Sequence, residues 1–184
     1  MSGAAGHIDP ANKKIALLIS VLALVLAFSE TLGKAAQTAA LSHNVEAANL
    51  WAFFQAKTVR LTVLRTAAEG LEVGAGTKAG DAVKSQIDTW RKTAARYDSE
   101  PDTKEGRKEL AERAKQSEAM RDRAMAAYHH YEVGSAAVQI AIVLASAAII
   151  TGISLLAWLA GGLGVLGVIF SLIAFFAPTA VHLF

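Results

Sequence analysis

The residues best equipped for chemistry in this sequence are His43, His129 and His130, an isolated acid at Glu30, and a glycine-rich stretch, GAGTKAG, at residues 74–80. Imidazoles suggest a metal, and a zinc site needs several such donors converging on one point. Neighbouring helical residues diverge by about 100°, so His129 and His130 cannot share an ion as an i, i+4 pair would. His43 is remote in sequence and reaches them only if two helical arms run back to back. GAGTKAG offers glycines and a lysine to a phosphate, but no strand precedes it and the Gly-Lys-Ser/Thr step is missing. No Ser-His-Asp set or paired carboxylates stand apart from the charged background. The sequence therefore reads as a non-enzyme with no catalytic residue, no cofactor and no metal site. It has no cysteine, which excludes disulfides and thiolate chemistry.

Glu30 matters because of what surrounds it. No Asp, Glu, Lys or Arg occurs at residues 133–184, and Glu30 alone interrupts residues 15–33. Nearly all the charge lies at residues 34–132, where 16 Lys and Arg stand against 14 Asp and Glu. Such segregation points to a lipid bilayer as partner. The balanced middle lacks the basic face that nucleic acid would need, so no nucleic-acid partner is expected.

Crossing a hydrocarbon core of about 30 Å takes about 20 apolar residues. The expected fold is thus all-α: an integral membrane protein with three transmembrane helices and a helical-hairpin, coiled-coil-like stalk between the first and second. Its parts are an N-terminal tail at 1–14, a first span at 15–33, the stalk at 34–132, a second span at 133–160 and a third at 161–184. Lys13 and Lys14 before an apolar run also resemble a signal peptide, with Ala27-Phe28-Ser29 as cleavage site; the run is read as an uncleaved anchor. AWLAGGLG, residues 157–164, supplies the break between the last two spans, and Pro178 ends the third.

Interfacial positions follow. Glu30 precedes Lys34 by four residues, the spacing of a helical ion pair at the membrane surface. An intramembrane carboxylate would instead mark a functional site. Tyr128, Tyr131 and Trp158 read as aromatic anchors. Ala137, Ala141 and Ala145 recur every four residues, so the second span has a small face. Gln139 lies beside it, either as a contact within the bundle or lining a pore.

In the stalk, residues 34–69 lack Gly and Pro and form an outgoing helix, 70–80 a loop, and 81–132 returning helices broken near Pro101. Asp81 is a candidate N-cap, and Val83, Ile87, Trp90, Ala94 and Tyr97 form a coiled-coil-like seam. Glu109 with Arg113, and Glu118 with Arg121, have ion-pair spacing on the solvated face of the last arm. On the outgoing arm, Leu41, Val45, Ala48, Ala52, Ala56, Val59 and Val63 form one apolar stripe. Leu50, Phe54, Leu61 and Leu64 form a second, and Trp51 and Phe53 widen the face. An arm so broadly apolar needs more than one neighbour. The returning arm covers one stripe. A second copy of the chain, lipid headgroups, or intramolecular packing alone would cover the rest. The small Ala48, Ala52 and Ala56 and the aromatics favour self-association, with Asn49 and Gln55 fixing register. The expected contact set is Ala48, Asn49, Trp51, Ala52, Phe54, Gln55, Ala56, Ala137, Gln139 and Ala141.

Ser42-His43-Asn44, Glu46-Ala47 and Trp51-Ala52-Phe53-Phe54-Gln55-Ala56-Lys57 resemble the signature of an uncharacterised bacterial membrane family known only as a domain of unknown function. The resemblance implies an N-terminal span, a helical middle and a C-terminal pair of spans over nearly the whole chain. It implies a bacterial membrane location and brings no activity, cofactor or catalytic residue.

The functional expectation is a structural or interaction subunit that forms homo-oligomers through its stalk and small-residue spans. The alternative is an oligomeric channel or transporter component with the second or third span lining a pore. The location expected is the bacterial inner membrane. Lys34, Lys115, Arg121 and Arg123 near the stalk's ends outnumber Lys13 and Lys14, which places the stalk on the cytoplasmic side.

Overall fold

The computed structural model describes residues 10–181. Residues 1–9 of the expected tail and 182–184 of the expected third span lie outside the described residues. Four α-helices make up the fold: α1 at Pro10–Ala75, α2 at Asp81–Asp98, α3 at Arg107–Thr151 and α4 at Ser154–Phe176, with a 3-10 turn at Gly76–Lys78. Among the described residues there is no strand. Three helices, α1, α3 and α4, are long and apolar enough to cross a membrane.

Glycine decides where α1 and α3 stop, and it acts through conformation more than through number. One glycine inside a helix costs only about 1 kcal/mol relative to alanine, so Gly33 does not interrupt α1. Gly70 and Gly74 stay helical as well, which narrows the expected 70–80 loop. The chain turns at Gly76, whose φ of +57° is open to glycine and strained for other residues. Asp81 is not the N-cap of α2: Gly80 holds that place, and Asp81 sits in the first turn, where a carboxylate favours the helix dipole.

The break before the last helix moves for the same reason. It was expected at Gly161-Gly162, yet both are helical within α4. The turn is Gly152-Ile153, with φ +70° at Gly152 and its N–H donating to the Ala148 carbonyl at 3.0 Å. α1 and α3 end where a glycine enters the left-handed region, and glycines that need not do so are simply carried along. At the other end, α4 stops at Phe176 and Pro178 follows.

The chain divides into two compact units, one of residues up to Ala40 together with those from Asp122, the other Leu41–Arg121. In the first, Leu22, Val138, Ala141, Ala145 and Ala160 form the core. Its helices meet through missing side chains. A Cβ on Gly134 would lie 2.9 Å from the Gly167 carbonyl oxygen, and one on Gly167 would lie 2.8 Å from that of Gly134. Small residues permit this backbone approach, the usual basis of helix association in lipid. Ser29 and Ser171 hydrogen-bond at 2.8 Å beside it. The outside is apolar: Leu17, Leu24, Phe28, Val143 and Leu172 are all exposed.

In the second unit, Leu50, Leu110 and Ala114 are buried together, with Trp51 and Phe54 packed against them. The inward face of α2 carries buried Ile87 and Ala94, with Val83, Trp90 and Tyr97 half-buried. Asp98 holds the start of α3, 2.8 Å from Arg107 and 3.1 Å from Lys108.

Candidate functional site

The second unit has an open face and a groove beside it. All seven residues of the first α1 stripe, from Leu41 to Val63, are exposed. The second stripe is covered: Leu50 and Leu61 are buried, Phe54 and Leu64 half-buried. Along one edge of the open stripe runs a groove of about 730 Å³, lined by Ser42, Glu46, Asn49, Phe53 and, from α3, Arg113.

This arrangement sorts the expected contact residues. Ala48, Asn49, Ala52, Gln55 and Ala56 stand on the open face. Trp51 and Phe54 turn the other way. The Trp51 indole donates to Glu118 Oε1 at 2.8 Å, and its ring meets Phe54 edge-on at 5.3 Å. They pack within the unit, because α3 offers an acceptor and an apolar floor on that side. Ala141 is fully buried in the core of the first unit and Ala137 half-buried, so neither offers an open surface. Gln139 is exposed, its amide donating to Glu30 Oε1 at 3.0 Å.

Several expected ion pairs are replaced by other bonds. Among the described residues, no ion pair joins Glu30 to Lys34, since Gln139 has taken the carboxylate. Glu118 accepts from Trp51. Glu109 turns back to accept from the Ser99 hydroxyl at 2.5 Å and the Glu100 backbone N–H at 3.1 Å, closing the segment between α2 and α3. Gly106 is required there, because a Cβ would collide with Glu109 and the Ser99–Glu100 backbone. The Ser99 hydroxyl, followed by backbone N–H groups and Lys108, holds the Glu109 carboxyl below its ordinary range. Lys108 and then Arg107 do the same for Asp98, and Arg96 for Glu100.

The first unit contains a smaller, polar crevice of about 270 Å³ lined by Glu30, Lys34 and Gln37 of α1 and Tyr128, Tyr131 and Glu132 of α3. Tyr131 is buried, not spread on the surface as an anchor would be, because Gly33 leaves a notch for it: a Cβ there would lie 3.1 Å from Tyr131 Cβ. Tyr128 is half-buried, and Trp158 stands out, 80% exposed.

With that geometry in hand, the model of a family described as a domain of unknown function (DUF4337) matches residues 11–177. The chain belongs to that family. No curated protein and no solved structure matches it. In this DUF4337 chain, Ser42, Glu46, Ala52, Phe53 and Ala56 of the quoted motif line the groove, while Trp51 and Phe54 brace it from behind. His43 is half-buried, with Nδ1 3.6 Å from Glu46 Oε2.

Two features of this DUF4337 chain escaped sequence reasoning. His130, 1% exposed, places Nε2 3.1 Å from the Pro178 carbonyl oxygen and 3.0 Å from that of Val181. Carbonyls only accept, so Nε2 carries the proton, and Nδ1 is left buried without a hydrogen bond. His130 therefore fastens the segment after α4. Lys57, 6% exposed, lies with Nζ 5.1 Å from the Tyr97 ring centre and 5.5 Å from that of Phe53, a cation held by aromatic faces. The His130 contacts and the Lys57–Tyr97 contact join different elements and have no local signal, whereas Phe53 and Lys57 stand four apart on α1, a spacing visible in the sequence.

Proposed function

We propose that this protein is a structural subunit of a membrane, anchored by α1, α3 and α4 and assembled into homo-oligomers through the open face of α1 in the second unit. One observation supports this above others: the chain covers one apolar stripe of α1 and leaves the other bare. Leu41, Val45, Val59 and Val63 are 65%, 52%, 62% and 60% exposed. Bare apolar surface in a continuous band marks a contact with something else.

The chemistry of the band favours another copy of the same chain. Copies inserted in one membrane share an orientation, so their α1 helices meet in parallel and each residue faces its own kind. A charge would then repel its twin, and none of the seven stripe residues is charged, Glu46 and Arg60 standing to the side of them. Ala48, Ala52 and Ala56 allow close approach, and Asn49 and Gln55 carry amides, which both donate and accept and so pair with themselves. On this reading the membrane is the bacterial inner membrane, and the stalk, residues 34–132, faces the cytoplasm. A compartment-sensitive reporter fused at the C-terminus tests that orientation. Sizing of the detergent-solubilised chain tests assembly: a particle of several copies is expected, and a strictly monomeric one overturns the proposal.

An oligomeric channel is the second reading. It is favoured by the Gln139–Glu30 hydrogen bond, which joins two polar side chains of α1 and α3 at the edge of their apolar runs. Conductance in reconstituted bilayers, abolished by Gln139→Leu, would establish it.

A further inference from the structure

We propose that the crevice of the first unit binds the headgroup of a zwitterionic phospholipid bearing a primary ammonium. The inference rests on the membrane reading. The crevice sits where the apolar run of α1 ends and that of α3 begins, so its lining is polar while nearby residues are not. Phe28 and Leu32, one turn of α1 around Glu30, are 62% and 40% exposed, a surface along which acyl chains can lie.

The lining selects among headgroups by charge. It holds two carboxylates, Glu30 and Glu132, and one ammonium, Lys34. Glu30 is fixed by Gln139 through one oxygen, and its other oxygen makes no hydrogen bond among the described residues. Glu132 lies on the opposite helix, 3.7 Å from His129 Nδ1. An ammonium with three N–H donors can bridge the two carboxylates by charge-assisted hydrogen bonds. The phosphate that accompanies it meets Lys34, the Gln37 amide and the Tyr128 hydroxyl, all able to donate. A quaternary ammonium has the charge but no N–H to give. A glycerol headgroup keeps the phosphate's negative charge without a cation, and the two carboxylates repel it. The volume of about 270 Å³ suits a headgroup rather than a whole lipid.

The test compares three lipids on the full chain in detergent, by native mass spectrometry and by the thermal unfolding midpoint. Phosphatidylethanolamine is expected to be retained about tenfold more strongly than phosphatidylcholine or phosphatidylglycerol, and alone to raise the midpoint, since each tenfold is about 1.4 kcal/mol. The double variant Glu30→Gln, Glu132→Gln should lose the preference while remaining membrane-bound. Equal retention of the three lipids by the unaltered chain overturns the proposal, whether or not the double variant folds. So does an undiminished preference in that variant. Recovery of the chain from cells in the soluble fraction overturns both this proposal and the membrane reading; membrane recovery with equal retention overturns this one alone.

Discussion

The indole N–H of Trp51 donates to Glu118 Oε1 at 2.8 Å across 67 residues of sequence, and it sets which side of α1 faces α3. A rotation of α1 that exposed Trp51 would turn the open stripe inward. Trp51→Phe keeps the ring and removes the donor, leaving a half-buried carboxylate short of a partner. The second unit is expected to lose about 1.5–3 kcal/mol, the range for hydrogen bonds to charged groups. Urea unfolding measures it, and an unchanged midpoint would show that packing alone orients the helix.

The two α1 stripes should answer differently to mutation. On the proposed assembly, Ala52→Glu would set a charge against its twin in the bare band, so oligomers are expected to fall to monomers while the unfolding midpoint of the monomer stays within a degree or two. Leu110→Ala empties a fully buried site under the other stripe and should cost about 2–5 kcal/mol without acting on the band directly. Sizing and denaturation on the same preparations separate the effects. Loss of stability in Ala52→Glu would place that residue in the core.

Both stripes were legible in the sequence because a 3.6-residue period is a local property. Which stripe the chain covers was not, since that depends on where α3 presents Leu110, Ala114 and Glu118. The same division explains the ion pairs. Spacing of four residues made Glu30–Lys34 and Glu109–Arg113 reasonable, but partners distant in sequence, Gln139 and Ser99, offered better-placed donors. The glycine errors have one cause. Composition counts glycines, whereas only those that adopt positive φ, Gly76 and Gly152, end a helix.

That distinction can be measured in α4. Nothing lies within 4 Å of a Cβ on Gly162, so Gly162→Ala should stabilise the helix by about 1 kcal/mol through propensity alone. Gly167→Val sends a branched side chain into Val138 and the Gly134 carbonyl and should cost about 1–3 kcal/mol or force the helices apart. Protease resistance in detergent reports both. Destabilisation by Gly162→Ala would restore the break to that point.

Acid should loosen the second unit first. The carboxyls of Asp98, Glu100 and Glu109 are held below their ordinary values in the folded chain by the groups around them. A folded value below the unfolded one means stability that is complete above the unfolded value and lost as pH falls through the folded value. Unfolding of the second unit should therefore ease as pH drops through and below the usual carboxylate range. Glu109→Gln should flatten that dependence, measured by urea midpoints at a series of pH values. An identical pH profile in the variant would place the acid response elsewhere.

On the proposed membrane reading, the turn at Gly152-Ile153 bears on how the chain would enter a bilayer. Two residues joining α3 to α4 leave few backbone groups unpaired, and the tip around them, with Ile150, Ile153 and Leu155, has nothing to ionise. Such a hairpin would present lipid with two helices whose backbone groups are paired within each leg and a tip that carries no charge.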